Sequence, residues 1–331
     1  VNVGKIGITT TIPVEAIFAS GNVPVDLNNT FITSGKRREW VEAAEIAGFP
    51  GTCCGWIKGI YSAAREEKVE GVVGVMAGDC SNTQALIEIL QFEGLKTFPF
   101  AYPYDRSPET LRREIERLCS KLGTDIGTAE EWKKRLDVPR RLALEVDRLT
   151  WEENKVTGFE NHLHLVSASD FLSDPDDYSR IVQEFIKTAA ARAPLKEDIR
   201  LGYIGVPTVY DDFYDYIEGI GGRVVFNEVQ RQFSLPWFED SLVEAYARFT
   251  YPYDVFGRIE DIKREIARRK IDGIIHYVQS FCFRQMEDVI FRKTLGVPVL
   301  TIEGDRPMPL DARTKTRIES FVEMLGTRAF F

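Results

Sequence analysis

Apolar and polar positions alternate along the first hundred residues in a rhythm of short buried runs and amphipathic stretches. Residues 5–10 (KIGITT) read as a buried strand, 13–19 as a short helix with proline in its first turn, and 23–27 as a second strand. Residues 36–47 (KRREWVEAAEIA) have helical spacing and stop at Gly48. The run GVVGVM at 71–76 is the continuous apolar type expected of a parallel strand covered on both faces. A helix over 81–92, with Ser81 at its start, and a strand over 95–100 complete the pattern. Such alternation predicts an open, mostly parallel α/β domain over residues 1–105.

The middle of the chain reads differently. Leu111, Ile115, Leu118 and Leu122 recur at helical spacing behind Ser107, and long charged helical patterns follow over 128–154 and 176–191. No convincing strand lies between 105 and 195, so 106–195 is expected to be a helical connector. From Ile199 the first rhythm returns, with strands predicted at 199–204, 223–226, 273–278 and 297–302 and a closing helix at 312–325. The fold class is therefore α/β: two flavodoxin-like (Rossmannoid), mostly parallel-sheet domains, 1–105 and 196–331, joined by the connector.

Composition narrows the function. The 331 residues hold 42 Lys and Arg against 51 Asp and Glu, a net charge of −9 with no basic block, which argues against a nucleic-acid partner. No apolar run reaches the ~20 residues of a membrane span, and no secretory leader opens the chain; no membrane association and a cytoplasmic location are the expectation. Neither GxxxxGK(S/T) nor a strand-borne GxGxxG occurs, so nucleotide hydrolysis by this chain is not expected. The GxSxG nucleophile turn is absent too. His162 and His164 lie among polar residues and read as surface or capping groups. His276, inside a predicted strand, reads as a satisfied interior histidine.

Five cysteines remain, an odd number unsuited to a disulfide framework in a reducing compartment. Cys53 and Cys54 stand in a Gly-rich turn (GFPGTCCGWIKG) that opens a helix, Cys80 follows the strand GVVGVM, and Cys282 follows GIIHYV. Ligands of open α/β sheets bind outside the carboxyl ends of strands, and helix N-termini favour thiolates. The competing reading is plain packing, since cysteine is among the most buried residue types. That reading suits Cys119, which sits mid-helix beside Leu118.

Several stretches carry a family resemblance over nearly the whole chain: GITTTIPVE at 7–15 through VPVD at 23–26, CGWIK at 54–58, GDCS at 78–81, DGII at 272–275 through Phe281 and Cys282, GVPVLTIEGD at 296–305 and TRIESFVEML at 316–325. The chain resembles the D-component family of 2-hydroxyacyl-CoA dehydratases and benzoyl-CoA reductases, which includes double-cubane cluster proteins. The resemblance implies an iron–sulfur cluster held by Cys54, Cys80 and Cys282, with Cys53 as an alternate or neighbouring thiol. It also implies electrons supplied by a separate ATP-hydrolysing iron–sulfur activator, in keeping with the missing phosphate loop.

Two enzymatic expectations follow from the resemblance. One is a homodimeric acceptor that reduces a small-molecule substrate at a sulfide-bridged [8Fe–9S] double cubane; its six thiolates would need three cysteines from each of two chains. The other is one subunit of a 2-hydroxyacyl-CoA dehydratase, built on a [4Fe–4S] cluster, using a ketyl radical and pairing with a paralogue as a heterodimer. The wording around Cys54 and the segment NEVQRQFSLP at 227–236 favour the first. A third expectation, from another class, is a cluster or electron carrier without turnover. Lys58, one helical turn beyond Cys54, would temper cluster charge or else be a solvated surface lysine. Gln279 and Arg284 flank Cys282 as hydrogen-bond donors or ordinary capping groups, and Glu303, ending the last strand, is the candidate acid–base group or the partner of a nearby arginine.

Overall fold

The computed structural model describes residues 3–196, 199–238 and 240–328. Four strands make the first sheet: β1 (Lys5–Ile8), β2 (Val23–Asp26), β3 (Gly71–Ala77) and β4 (Lys96–Ala101). Four more make the second: β5 (Ile199–Gly205), β6 (Gly222–Asn227), β7 (Gly273–Val278) and β8 (Val299–Glu303). Their orders are β2-β1-β3-β4 and β6-β5-β7-β8, with every pairing parallel. The same flavodoxin-like order is thus used twice. β6 and β7 are buried along their whole length, as apolar runs flanked by helices on both faces must be.

Among the described residues no strand lies between 105 and 195. Ser107 accepts a hydrogen bond from the Thr110 N–H at 3.3 Å and starts the helix Pro108–Leu122. The long helix Ile126–Trp151 and the helix Pro175–Ala190 follow. These helices do more than connect. Leu111, Ile115, Leu118, Leu136, Val146 and Leu149 share one buried cluster with Ile6, Ile8, Val73 and Phe98, so they roof a face of the first sheet. Cys119 is fully buried in that cluster.

The sequence pattern did not reveal the helices Leu27–Thr33 and Gly158–Val166. The first begins directly where β2 ends, with Asp26 both closing the strand and capping the helix, so no loop separates the two elements. A second apolar cluster runs from Val25, Trp56 and Ile60 to Leu201, Tyr203 and Tyr277. The two sheets are therefore joined through shared core. No helix among the described residues is long and apolar enough to cross a membrane.

Candidate functional site

A cavity of about 540 Å³ is lined by the segments that leave the carboxyl ends of β1, β3, β5 and β7: Thr9–Thr11, Asp79–Thr83, Val206–Pro207 and Gln279–Arg284. These are the two central strands of each sheet, the place where open α/β sheets bind ligands. Cys53, Cys54, Cys80 and Cys282 all line it.

Each of Cys54, Cys80 and Cys282 is an N-cap. Cys54 precedes the helix Gly55–Glu66, Cys80 the helix Ser81–Phe92, and Cys282 the short 3₁₀ helix Phe283–Glu287. All three have extended backbone, with ψ of 151°, 162° and 126°. Local chemistry fixes these turns. The pairing of β3 with β4 shifts register between Val75 and Ala77, and Gly78 then adopts φ 99°. A Cβ at Gly78 would meet Pro252 at 2.9 Å and Tyr102 at 3.0 Å, so only glycine fits. On the other side Phe281 takes the left-handed conformation, φ 60°, immediately before Cys282.

The two halves clasp at Gly55. Its ideal Cβ would lie 2.5 Å from the Asp305 carbonyl oxygen, so the Cys-Gly step lets the second half approach the helix start. Asp305 in turn accepts hydrogen bonds from the N–H and the hydroxyl of Ser280, which sets the loop carrying Cys282. Gln279 accepts from the Trp56 N–H at 3.5 Å. The Glu-x-Asp ending of the last strand, singled out in the sequence, is thus the brace that holds two cysteine loops together.

Electrostatics differ among the thiols. Cys53 is brought down to about 7, chiefly by the Cys54 thiol beside it and also by the Lys58 charge, against its burial. Cys54 is pushed far above the ordinary thiol range by Cys53 and by burial, with the Ile57 N–H opposing. Burial raises Cys80, aided by the Asp79 charge. Burial also raises Cys282, while the Arg284 N–H and guanidinium act the other way. Protein surroundings alone therefore keep the three N-cap thiols neutral, and a positively charged centre would be needed to ionise them together.

Of the polar groups expected to serve the site, Gln279 and Arg284 line the cavity, whereas Lys58 and Glu303 do not. Arg284 is the one cation among the lining residues. It is buried, lies over the Tyr251 ring at 4.1 Å, and donates to the Tyr251 carbonyl and to Glu287 at 3.2 Å. Lys58 is neither a surface lysine nor a cavity group. It is 2% exposed and donates to Glu45 at 2.6 Å and to the Gly51 carbonyl at 3.1 Å, which fixes the turn before Cys53. Glu303 is exposed and accepts from Ser280 at 2.6 Å and from Gln285 at 2.9 Å, bracing the Cys282 loop from outside.

His162 departs from its polar-flank reading. It is buried beside Gln230, 3.0 Å from Nδ1, and burial holds its imidazole down at about 4. His276 lies buried in β7, its Nδ1 3.1 Å from Asp288. Sequence reasoning missed Asp26, Asp79, Asn28, Asn29 and Tyr251 as lining residues. The run Thr9-Thr10-Thr11 directly after β1, and an aspartate inside Gly-Asp-Cys, were the available signals.

The model for the family described as 2-hydroxyglutaryl-CoA dehydratase, D-component, matches residues 9–325. The chain belongs to this family. The match starts at Thr9 on the cavity wall and takes in all four cavity cysteines and Asp305. No curated protein matches the chain.

An iron–sulfur cluster, implied by the resemblance, can be tested against the residues present. No three His, Cys, Asp or Glu side chains among the described residues converge closely enough for a single metal ion. One tetrahedral ion would draw thiolates to within roughly 3.8 Å of each other at ~2.3 Å per bond. A cubane carries its thiolates on separate irons and spaces them more widely, so three cysteines spread around one cavity suit it better. Two N–H donors of cavity-lining residues, Trp56 Nε1 and Gln279 Nε2, are buried without a hydrogen-bond partner. Sulfur-rich acceptors would satisfy such donors. The donor set fits.

Proposed function

We propose that Cys54, Cys80 and Cys282 hold a [4Fe–4S]-type cluster, and that the chain is an electron-accepting catalytic component of a 2-hydroxyacyl-CoA dehydratase-type reaction. The observation that carries this is the meeting of three N-cap cysteines, drawn from both sheets, on one cavity. When bound, the cluster supplies a low-potential electron to the substrate. That electron originates in a separate ATP-hydrolysing iron–sulfur activator, a division of labour in keeping with the absent phosphate loop.

The chain's own residues do the rest. Arg284 and the three helix starts bring positive potential to the site where negative charge collects. Asp305, Ser280 and Gly55 hold the cysteine loops in register. The mixed lining, with Thr9–Thr11, Asn28 and Asn29 facing Ile57, Leu86 and Phe233, gives a substrate both polar and apolar purchase. A cavity of this size beside the cysteines supports turnover over a carrier role.

A second reading is a homodimer that reduces a small molecule at a bridged [8Fe–9S] double cubane. It is favoured by the exposed apolar side chains Phe281, Phe283, Met286 and Val289 beside Cys282, where a second copy would have to approach. Iron and sulfide counts on oxygen-free protein test the shared proposal: about four irons per chain are expected, and colourless, iron-free protein would overturn it. Offering activator and ATP with a 2-hydroxyacyl-CoA in one assay, and acetylene or hydrazine in another, separates the two reactions.

A further inference from the structure

A molecule reduced in this cavity takes up a proton, as does a hydroxyl that leaves one as water, so a proton source on the wall is called for. The lining holds two carboxylates, Asp79, which precedes Cys80, and Asp26. Asp26 is 3% exposed, and behind it lies Asp170, 5% exposed. The Asp26 backbone N–H donates to Asp170 Oδ2 at 2.7 Å, and Ser169, next to Asp170, donates to Asp26 Oδ2 at 2.5 Å, which sets the two residues side by side. Neither carboxyl forms an ion pair among the described residues.

The surroundings offer no compensating charge. Asp26 receives N–H groups of Asn28 and Asn29, and Asp170 that of Leu172. Arg140, 5.6 Å over the ring of Phe171, the residue next to Asp170, is engaged with Glu15 at 2.7 Å and Asp137 at 3.7 Å. Tyr178, on the helix packed beyond Phe171, donates its hydroxyl to the His164 carbonyl. Two buried carboxyls so placed resist ionising together, so one proton is retained well above the usual carboxylate range.

A separate observation points from the same wall to a ligand. Thr11 and Asn29, both more than nine-tenths buried and both lining residues, leave Oγ1 and Oδ1 without a partner. These positions await a donor that the protein does not supply.

We infer that Asp26 and Asp170 share a single proton and deliver it through Asp26 to the molecule reduced in the cavity. The inference rests on the reductive, electron-accepting reading above, whether the molecule keeps the electron or loses a hydroxyl. Electron and proton arrive through different residues: the electron by way of the cysteines, the proton by way of Asp26. Giving it up leaves both carboxyls anionic, and water entering the cavity restores one proton. Burial and the Asp26 charge hold Asp170 at about 7, so the pair reloads near neutral pH. Burial raises Asp26 as well.

Infrared titration of the full chain, purified without oxygen and labelled with ¹³C-aspartate, reads the proton directly. One protonated-carboxyl band should persist well above pH 5, fade around pH 7, and vanish in Asp170→Asn. Absence of the band at pH 6, or its survival in both Asp170→Asn and Asp26→Asn, would overturn the sharing. Asn still caps a helix, so Asp26→Asn should keep its iron content while turnover falls about a hundredfold. Full turnover in iron-replete Asp26→Asn would overturn the delivery. If instead the wild-type chain binds no iron but shows the titrating band, the reductive reading fails while the shared proton stands.

Discussion

Cys80 and Cys282 occupy equivalent places in the two halves of the chain: each is the N-cap of the helical segment that follows the third strand of a parallel sheet ordered 2-1-3-4. Equivalence in fold brings residues 202 positions apart onto one cavity wall. Cys54 joins them from the helix that leads into β3. Its counterpart ahead of β7 is Asp254, the N-cap of Val255–Arg269, which binds its own helix start instead.

Replacing Cys54, Cys80 or Cys282 by serine should each reduce iron to well under half of the wild-type content. Cys119→Ser should leave iron unchanged and cost about 1–2 kcal/mol in denaturant unfolding, the effect of placing a hydroxyl in an apolar core. Iron loss confined to Cys119→Ser would refute the ligand set.

In the cluster-free chain Cys53 should be the first thiol alkylated by iodoacetamide, with its rate rising through pH 7. Lys58→Met removes the nearby positive charge, so the half-maximal pH should move upward. Peptide mapping of the modified cysteine checks both statements.

Gly55→Ala drives a methyl group against the Asp305 carbonyl. A loss of about 1–3 kcal/mol in stability is expected, with weaker iron retention, because the clasp between the halves must open. Asp305→Ala should likewise lose iron by freeing Ser280. Glu303→Gln should hold iron and change turnover less than about twofold, as befits a brace outside the cavity.

Asp170 also sets a pH trend in stability. Its folded value of about 7 lies above the unfolded carboxylate value of 3.8, so the folded state retains a proton that the unfolded state releases. The stabilisation is complete below pH 3.8, declines as pH rises toward 7, and is gone above. Asp170→Asn should therefore match wild type in thermal unfolding near pH 4 and exceed it progressively up to pH 7, with a constant gap beyond.

The strands were legible because parallel strands covered on both faces must be apolar throughout; GIIHYV at β7 and GVVGVM in β3 could be little else. The helix at Leu27–Thr33 escaped because no loop separates it from β2 and its seven residues are too few to show a helical repeat. The cysteines were legible through their place after strands and before helices. Lys58 and Glu303 were not, since the partner that turns each away, Glu45 or Ser280, is set by packing of distant segments. Asp26 and Asp170 were hidden for the same reason: 144 residues separate them, and neither has a telling neighbour in the chain.

Because the three thiols come from loops of both sheets, a cluster gripped by all three would work as a rivet through the molecule. Its binding energy would add to the clasp at Gly55 and Asp305, so its loss, for instance to oxygen, would loosen one lobe from the other. Chemical damage at the centre would then be readable from afar, as new cleavage by a protease in the seam between the lobes.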